Sequence, residues 1–488
     1  MANSRDLNKF LKENLNHQKF VVAIQREPYL HTKNGKKIKI EKTTGGVHVL
    51  LDGILQKTGG LMVAVGSGDA DADVVDSRNI VKVPPGKENY NLKRIFLNKK
   101  EQQGFYNGFA NQSLWPLCHA VFVKPVFSPE WWDYYVKVNK KFANAIIDEV
   151  GNKEAFVWVN DYQLALLPMF LRKKNSKLKI GVFWHIPWPT YEYFRICPYR
   201  KEILEGLLAA DFIGFHRGYH VENFVSCCQS DLGVLVDSEP RSITHNKHET
   251  RVANLPAGID YDQVIKEKNR KGKYTKTKLK KEFNINYQYL VISAERIEYT
   301  KGIIERFKII EKLLEKYPRY RNKLVHLAIG IPSRISIPAY RAYDRQITAL
   351  MNRINIKFGN RKWQPIRLIR RSFPREELLQ LFKFADVCIV SPLDDGLNLV
   401  AKEFVVCNKE NKGMLVLSKF TGASKDLKSA KLINPYDAEG SADALNEALK
   451  MKGKDKTKVN REMKKVLKER NIYNWGIDFI KKTLSKYG

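Results

Sequence analysis

Two cations lie five residues apart in a short segment between an apolar strand and an amphipathic helix. They are Arg296 and Lys301, and Gly302 stands where the helix begins. Arginine can bind phosphate oxygens through two parallel hydrogen bonds and lysine adds a point charge, so the pair suits a pyrophosphate. The same residues could also be two surface cations of a basic protein, and this segment alone leaves both interpretations open.

A second segment could hold an anion and a sugar at the start of a helix. Its sequence is Ser391-Pro392-Leu393-Asp394-Asp395-Gly396-Leu397-Asn398-Leu399-Val400-Ala401-Lys402-Glu403. The backbone N–H groups of Asn398, Leu399 and Val400 would point at an anion, and the helix dipole would help to hold it. Asp395 could bind a sugar hydroxyl, and Glu403, over a turn further in, could reach ribose hydroxyls. The alternative is that Asp395 caps the helix and Glu403 lies on its surface.

A histidine follows a third apolar strand, in the segment Phe183-Trp184-His185-Ile186-Pro187-Trp188-Pro189-Thr190. Its prolines stiffen the loop, because each fixes its own backbone φ angle. They would present His185 to a cleft at the end of the strand. A histidine satisfied inside the core is the alternative, and the sequence leaves both open.

All three segments follow predicted strands that alternate with amphipathic helices, a rhythm typical of parallel, doubly wound sheets. The strands are predicted at residues 20–24, 155–159, 180–184, 212–215, 289–293, 324–329, 366–369, 387–390, 414–417 and 432–434. The helices are predicted at residues 45–55, 164–173, 302–317, 374–384 and 399–407. Because ligands of such sheets bind beyond the carboxyl ends of strands, the three segments are predicted to form binding sites in two α/β domains with a boundary near residues 255–260.

Composition limits the class of protein. The chain has 488 residues, of which 43% are hydrophobic, and this is enough for real cores and excludes global disorder. We find no apolar run of about 18 residues and no apolar N-terminal stretch, so we expect neither a membrane-spanning helix nor a signal peptide, and we expect a cytoplasmic protein. The six cysteines are scattered without a Cys-x-x-Cys pair, which predicts buried thiols.

The net charge is strongly positive, since 85 Lys and Arg residues outnumber 52 Asp and Glu residues to give +33. The basic residues are spread along the chain, and the densest segment, 450–470, is typical of a solvated helical face. A regulatory or nucleic-acid-binding protein is the alternative that this charge raises. Tight, strongly salt-dependent binding to mixed-sequence RNA would support that alternative.

An ordered set of motifs over about residues 18–485 resembles glycosyltransferase family 20, the retaining family of the trehalose-6-phosphate synthases. The motifs are Gly45-Gly46, Phe105-Tyr106-Asn107-Gly108-Phe109, Leu114-Trp115-Pro116, Asn160-Asp161-Tyr162, His185-Ile186-Pro187, Glu295-Arg296, Lys301-Gly302 and Asp395-Gly396-Leu397-Asn398-Leu399-Val400-Ala401-Lys402-Glu403. The last motif is specific, and the whole ordered set is far beyond chance. The resemblance implies an α/β protein of the GT-B fold, in which two Rossmann-like, doubly wound domains face each other across a cleft.

The resemblance also implies a division of labour along the chain. Residues 1–255 would form an acceptor-binding domain and residues 256–470 a nucleotide-sugar-binding domain. Residues 471–488 would form a helix that crosses back to the first domain. The chain ends soon after the matched region, so we expect a separate trehalose-6-phosphate phosphatase rather than a fused one.

Site residues carry over from the family position by position. The implied catalytic residues are His185, Arg296, Lys301 and Asp395. The implied donor-binding residues are Gly46, His185, Arg296, Lys301, Phe373, Asp395, Asn398, Leu399, Val400 and Glu403. The implied acceptor-binding residues are Arg26, Tyr106, Trp115, Asp161 and Arg334, of which the two arginines and the tyrosine would face a sugar phosphate.

The implied reaction moves glucose from a nucleotide-glucose, expected to be UDP-glucose, to glucose 6-phosphate and gives α,α-trehalose 6-phosphate. The departing diphosphate would help to deprotonate the acceptor hydroxyl, while Arg296 and Lys301 stabilise its charge, so no metal or other cofactor is expected. The expected partners are small-molecule substrates, with no membrane and no specific nucleic acid. Formation of a homo-oligomer is left open.

The sequence departs from the better-known bacterial enzymes only in the acceptor half. Val65 stands where those enzymes have Trp, Asn160-Asp161-Tyr162-Gln163 replaces His-Asp-Tyr-His, and Arg26 lies within Gln25-Arg26-Glu27 rather than Ser-Asn-Arg. The segments Gly214-Phe215-His216 and Val221-Glu222-Asn223-Phe224-Val225 also resemble the related glucosylglycerol-phosphate synthases. Glycerol 3-phosphate is therefore the alternative acceptor.

Asp69, Asp71 and Asp73 alternate like the start of a calcium-binding loop. An EF-hand needs glycine at the sixth position and glutamate at the twelfth. Val74 and Ile80 stand there. We therefore predict a loop near the acceptor site rather than a calcium site.

Overall fold

The computed structural model describes residues 3–15, 18–43, 46–239, 241–270, 274–408 and 412–485. It divides into two compact units. The first comprises the chain up to Gly258 together with the segment from Asn471 onward, and the second comprises Ile259–Arg470. No helix in the described ranges is both long and apolar enough to cross a membrane.

The first unit is built on a ten-stranded sheet with the order β10-β11-β12-β9-β8-β7-β1-β4-β6-β5, beside a separate β2-β3 hairpin. Its strands are β1 (Lys19–Arg26), β2 (Tyr29–Asn34), β3 (Lys37–Lys42), β4 (Leu61–Val65), β5 (Ile80–Val83), β6 (Tyr90–Ile95), β7 (Ala155–Asn160), β8 (Lys179–Trp184), β9 (Phe212–Phe215), β10 (Leu235–Ser238), β11 (Arg241–His245) and β12 (His248–Asn254). The sheet is parallel from β12 to β6, whereas β5 and the β10-β11 pair are antiparallel. The predicted parallel, doubly wound sheet is therefore present, and short antiparallel hairpins extend it at both edges.

Helices and one π-helix surround this sheet. They are α1 (Ser4–Leu15), α2 (Val47–Thr58), α3 (Lys99–Glu101), a π-helix at Gln102–Leu114, α4 (Trp115–His119), α5 (Pro129–Val150), α6 (Leu167–Lys174), α7 (Tyr191–Phe194), α8 (Arg200–Leu207) and α9 (Gly218–Leu232). The helix predicted from residue 164 begins only at Leu167, because Pro168 occupies its first turn and Tyr162–Leu164 forms a 3-10 turn instead.

The second unit contains a six-stranded sheet, all parallel, with the order β15-β14-β13-β16-β17-β18. Its strands are β13 (Tyr289–Arg296), β14 (Leu324–Ile331), β15 (Ile366–Ile369), β16 (Val387–Val390), β17 (Met414–Ser418) and β18 (Lys431–Ile433). Its helices are α10 (Tyr261–Asn269), α11 (Lys276–Glu282), α12 (Ile303–Lys316), α13 (Pro338–Phe358), α14 (Arg375–Phe382), α15 (Leu399–Cys407), α16 (Ala423–Asp426), α17 (Ala438–Lys450) and α18 (Gly453–Glu469).

The last helix, α19 (Ile472–Leu484), packs against β8, β9, α1 and α2 of the first unit. The ring of Phe479 stacks on Trp158 of β7, with 4.2 Å between centroids. Gly181 of β8 permits this contact, because a Cβ there would lie 2.6 Å from the hydroxyl of Thr483 and 2.7 Å from the ring of Phe479. The resemblance implies a helix over residues 471–488, and these aromatic and glycine contacts explain why α19 packs on this sheet.

The cysteines and the basic segment behave as their patterns predict. All six cysteines are buried. Within the basic segment, α18 buries only Asn460, Met463 and Leu467, and most of its lysines lie at the surface or are partly exposed. A stripe of three buried residues on a 17-residue helix is typical of a solvated helical face.

Candidate active site

Two neighbouring strands of the second unit place the predicted diphosphate residues side by side. β13 pairs with β16, so the segments that follow them leave the same edge of the sheet. The Nζ atom of Lys301 lies 2.7 Å from Oδ2 of Asp395. Gly302 allows this approach, because its φ angle is +60° and a Cβ there would lie 2.1 Å from the carbonyl oxygen of Ser391. The structure therefore brings two of the implied catalytic residues into one ion pair.

The residue that caps α15 is Asn398 and not Asp395. Asp395 accepts hydrogen bonds from the backbone N–H of Leu397 and the side-chain amide of Asn398, both at 3.2 Å. Asn398 is the residue that caps α15, because its Oδ1 accepts the N–H of Ala401 at 3.0 Å and its φ is 69°. The alternative that Asp395 caps this helix is therefore wrong. Leu399 and Val400 begin α15 directly after the cap.

The charge of Asp395 depends on Lys301. Burial acts to raise the pKa of this carboxyl, but the charge of Lys301 and the hydrogen bonds outweigh it, so the pKa is lowered overall. Asp395 is therefore a carboxylate at neutral pH. It holds Lys301 near the first turn of α15, where an anion would also be favoured by the helix dipole.

Arg296 and Arg334 share one buried carboxylate. Arg296 is the last residue of β13, and its Nε lies 3.2 Å from Oε1 of Glu298. Nη1 of Arg334 lies 3.1 Å from the same oxygen and donates to the hydroxyl of Tyr340 at 2.6 Å. The structure thus brings an implied donor residue and an implied acceptor residue together within the second unit, through Glu298, which the sequence did not single out.

Arg306 of α12 supports both segments from behind. Its Nε donates to the hydroxyl of Ser391 at 2.9 Å and its Nη2 donates to the carbonyl oxygen of Lys301 at 3.1 Å. It also forms an ion pair with Glu295. Sequence analysis missed Arg306, although its position one residue before Phe307 on the apolar face of α12 signalled that it would be buried.

Glu403 and Phe373 each contact an arginine side chain of the second unit. The Oε1 atom of Glu403 accepts from Nε and Nη2 of Arg375, at 3.0 and 2.8 Å, and Arg375 also pairs with Glu267. Phe373 is buried, with the guanidinium of Arg371 at 4.4 Å from its ring centroid. Glu403 is buried as well, so the alternative of a surface carboxylate is wrong.

In the first unit, His185 and Asp161 are linked at the ends of two adjacent strands. The backbone N–H of His185 donates to Oδ1 of Asp161 at 3.1 Å, and the N–H of Asp161 donates to the carbonyl oxygen of Phe183 at 2.9 Å. Asp161 adopts a φ of 73°, a conformation unusual for a residue with a side chain. Burial lowers the pKa of His185 to about 3, so its ring is neutral at physiological pH.

Three implied acceptor residues meet around Tyr162. The ring of Trp115 lies 5.6 Å from that of Tyr162, the residue after Asp161. The hydroxyl of Tyr162 donates to Asn111, whose amide donates to the carbonyl oxygen of Tyr106 in the π-helix. A side-chain amide that reaches five residues back in this way fits the wide turn of the π-helix.

The remaining two implied residues of the first unit stand at element ends. Arg26 is exposed at the end of β1, opposite Val65 at the end of β4. Gly46 is the N-cap residue directly before α2, with a φ of +87°. The second unit holds Arg296, Lys301, Arg334, Phe373, Asp395, Asn398, Leu399, Val400 and Glu403, so the implied site residues are divided between the two units.

The aspartate-rich segment forms a buried charge cluster beside β4. Arg94 lies 2.8 Å from Glu27 and 2.9 Å from Asp71, and all three side chains are fully buried. Asp71 also accepts the backbone N–H groups of Ser67 and Gly68. Burial and the hydrogen bond to Asp71 raise the pKa of Glu27 to about 8. The cluster anchors the loop after Val65, and the described residues contain no group of side chains suited to a metal ion.

His220 gives a prediction about acid stability. It is buried on α9, neither ring nitrogen has a hydrogen-bond partner, and burial, with Arg217 and His119, lowers its pKa to about 3. The unfolded chain takes up a proton near pH 6.5 and the folded protein does not, so stability falls as the pH drops below about 6.5. We expect His220→Leu to raise the unfolding free energy, relative to the parent, by about 2 kcal/mol more at pH 5 than at pH 8.

Urea unfolding at both pH values measures this difference. His245→Leu, at a partly exposed histidine, is the matched control. An equal change at pH 5 and pH 8 in His220→Leu would contradict the prediction.

Comparison with known proteins gives a family and a set of relatives. Residues 17–485 match the model of glycosyltransferase family 20. The chain is 36% identical to a bifunctional trehalose-6-phosphate synthase/phosphatase of Thermoproteus tenax over 81% of this chain and 54% of that protein. It is 31% identical to a UDP-forming α,α-trehalose-phosphate synthase of Dictyostelium discoideum, over 95% of this chain and 62% of that protein. The chain therefore spans less than two thirds of the length of these two relatives. It is also 33% identical to a trehalose-6-phosphate synthase of a Mycobacterium species, over 94% of this chain and 95% of that protein.

Solved structures share the fold over almost the whole chain. An Escherichia coli structure bound with UDP-2-fluoro glucose has a TM-score of 0.84 at 32% identity and covers 96% of this chain and 99% of that chain. A UDP-forming α,α-trehalose-phosphate synthase of Burkholderia xenovorans in complex with glucose-6-phosphate has a TM-score of 0.86 at 29% identity, over 96% of this chain and 100% of that chain. The predicted GT-B fold is confirmed by this likeness.

Proposed function

The chain belongs to glycosyltransferase family 20, and we propose that it transfers glucose from UDP-glucose to glucose 6-phosphate to give α,α-trehalose 6-phosphate. The observation that carries the proposal is the Lys301–Asp395 pair at the edge of the second sheet, with Arg296 on the same strand end and α15 starting at the same segment. This arrangement of cations and helix N-terminus suits the leaving diphosphate of a nucleotide sugar. Relatives of this chain carry the same activity in their names.

The chemistry follows from where charge develops. As the bond between glucose and diphosphate breaks, negative charge grows on the diphosphate oxygens. Arg296, Lys301 and the N–H groups at the start of α15 stabilise that charge, which lowers the barrier. Among the implied residues, Asp395 is paired with Lys301 and Asp161 accepts the N–H of His185, so neither is arranged as a covalent nucleophile. A leaving diphosphate that takes the acceptor proton on the same face gives retention of configuration.

The domain roles are part of the same proposal. The second unit, which holds Lys301 and Asp395, binds the nucleotide sugar. The first unit, which holds Arg26, Tyr106 and Trp115, binds the acceptor. Val65 supports a second candidate for the acceptor, because a valine at the end of β4 cannot stack on a sugar ring as the tryptophan of the better-known bacterial enzymes can, so an acceptor without a ring loses nothing there. That candidate is glycerol 3-phosphate.

A product assay tests the proposal. Purified protein is incubated with UDP-, GDP- or ADP-glucose and with glucose 6-phosphate, glycerol 3-phosphate or no acceptor, and products are identified by mass spectrometry. We expect the mass of a disaccharide phosphate with UDP-glucose and glucose 6-phosphate. A glucosylglycerol phosphate as the main product would move the proposal to the second candidate, and no transfer from any donor would overturn it.

Chelation gives a further prediction. Because two side-chain cations and the helix N-terminus neutralise the diphosphate, we propose that no metal ion takes part. Activity in excess EDTA is therefore expected to stay within about twofold of activity in magnesium, since no charge-stabilising interaction is removed. Loss of activity in EDTA that magnesium or manganese restores would contradict this, and protein dialysed against EDTA and then returned to metal-free buffer is the control for irreversible damage.

A further inference from the structure

The ring of His185 is held by the side chains of Asn160 and His216. Its Nε2 lies 3.1 Å from Oδ1 of Asn160, and its Nδ1 lies 3.3 Å from Nε2 of His216. His185 is only 6% exposed, and Asn160 and His216 are buried with it. Both ring nitrogens of an implied catalytic residue are therefore engaged inside the protein.

The direction of the first hydrogen bond is fixed by Asn160. Its Nδ2 donates to the carbonyl oxygens of Ala23 and Trp158, at 3.3 and 3.2 Å. Because both of these atoms can only accept, the amide is oriented with Oδ1 toward His185. That oxygen in turn can only accept, so Nε2 of His185 carries the ring proton.

The direction of the second hydrogen bond is fixed from the other side. The backbone N–H of Ala257 lies 3.3 Å from Nδ1 of His216 and can only donate to it. The single proton of a neutral His216 ring is therefore on Nε2, which donates to the unprotonated Nδ1 of His185. Starting from either end, at Ala257 or at Asn160, the same tautomer of His185 results.

The surroundings keep the ring of His185 neutral in this arrangement. A protonated His185 would need an acceptor at each ring nitrogen, and His216 already accepts from Ala257 and offers a donor. The lowered pKa of His185, caused by burial, points the same way. Ala257, whose N–H donates to His216, lies one residue before the first unit ends at Gly258.

We propose that His216 is a positioning residue that, together with Asn160, holds the tautomer and ring orientation of His185, so that His185 lines the proposed donor site as a neutral group that exchanges no proton. The inference rests on the proposed function for the role of His185. This role accounts for a buried histidine at residue 216. The side chain there must accept a hydrogen bond from Ala257 and donate one to His185.

Two variants of similar length separate positioning from packing. In His216→Gln the amide oxygen can accept from Ala257 while the amide nitrogen donates to His185. In His216→Met the side chain fills similar volume but donates no N–H. Each variant and the parent are labelled with ring-¹⁵N histidine, and the tautomer of His185 is read by NMR without substrate, with His185→Gln used to assign the signal. Steady-state kinetics with UDP-glucose and glucose 6-phosphate follow on the same samples.

We expect a neutral ring protonated at Nε2 in the parent and in both variants, because Asn160 still accepts from Nε2. In His216→Met, but not in His216→Gln, the signal of the unprotonated Nδ1 should move to higher chemical shift, because it loses its hydrogen-bond donor. We expect kcat of His216→Gln to stay within about threefold of the parent and kcat of His216→Met to fall at least about tenfold, with the KM for glucose 6-phosphate unchanged, because one hydrogen bond to the ring is lost. A parent ring protonated at Nδ1 or at both nitrogens, or equal kcat in both variants, would overturn the proposal. The NMR experiment contains no substrate, so an inactive parent would overturn the proposed function and leave the tautomer to decide the positioning role.

Discussion

Arg296→Ala is expected to lower kcat about a hundredfold while the melting temperature stays close to that of the parent. The side chain would supply a charge-assisted contact to the leaving diphosphate, and one such donor contributes roughly 3 kcal/mol to the barrier. Stability should change little, because Glu298 keeps Arg334 and the hydroxyl of Ser333 as partners. Initial rates with saturating UDP-glucose and glucose 6-phosphate, together with thermal unfolding, measure both quantities.

Two further variants make this test sharper. Lys308→Ala removes one positive charge from an exposed position of α12 and should leave kcat within about twofold of the parent, because it lies outside the diphosphate segment. Lys301→Ala should lower kcat as much as Arg296→Ala, but it should also lower the melting temperature, because it leaves the carboxylate of Asp395 without its ion-pair partner. Near-normal kcat in both Arg296→Ala and Lys301→Ala would contradict the diphosphate assignment.

Free glucose is expected to be a poorer acceptor than glucose 6-phosphate by about a hundredfold or more in kcat/KM. The proposed phosphate contacts are charge-assisted hydrogen bonds from arginine, each worth roughly 1.5–3 kcal/mol. Arg26, which is exposed at the end of β1, is the residue of the first unit that we propose for such a contact. Val65 opposite it cannot stack on a sugar ring as a tryptophan can, so recognition should depend mainly on the phosphate.

Arg26→Ala tests where this discrimination comes from. The variant should lose most of its preference for glucose 6-phosphate and change kcat/KM for free glucose little. Lys57→Ala, which removes one exposed charge from α2 of the same unit, controls for long-range attraction of an anion to a protein of charge +33. Equal kcat/KM for glucose and its phosphate in the parent would refute the phosphate contacts, and an undiminished preference in Arg26→Ala would remove Arg26 from them.

Much of the fold could be predicted because its central strands are short apolar runs between amphipathic helices. Strands β9, β15 and β16 begin and end at the predicted residues, and α15 does so as well. In the first unit, the hairpin β2-β3 and the strands β4, β5, β6, β10, β11 and β12 were not predicted. β3 reads Lys-Ile-Lys-Ile-Glu-Lys and is fully exposed, so it lacks the buried face that produces a clear pattern.

The site could be predicted only where the residue that acts also stands in a recognisable segment. Lys301 and Asp395 lie in such segments and meet in the structure. Glu298 lies in the same segment as Lys301, but its importance comes from Arg334, 36 positions away. Arg306 lies outside both segments and acts through Ser391, 85 positions away. The same holds for His216, whose effect on His185 depends on the neighbouring strands β8 and β9 that bring residues 31 positions apart into contact.

The anomeric configuration of the product is the most direct test of the proposed reaction. UDP-glucose labelled with ¹³C at C1 of the sugar is incubated with glucose 6-phosphate and the protein, and the product is examined by NMR. A retaining family 20 enzyme should place the label in an α linkage, joined to the α anomeric carbon of glucose 6-phosphate, as the main product. Label found in a β linkage, in glucosylglycerol phosphate when both acceptors compete, or only in free glucose would contradict the proposed transfer.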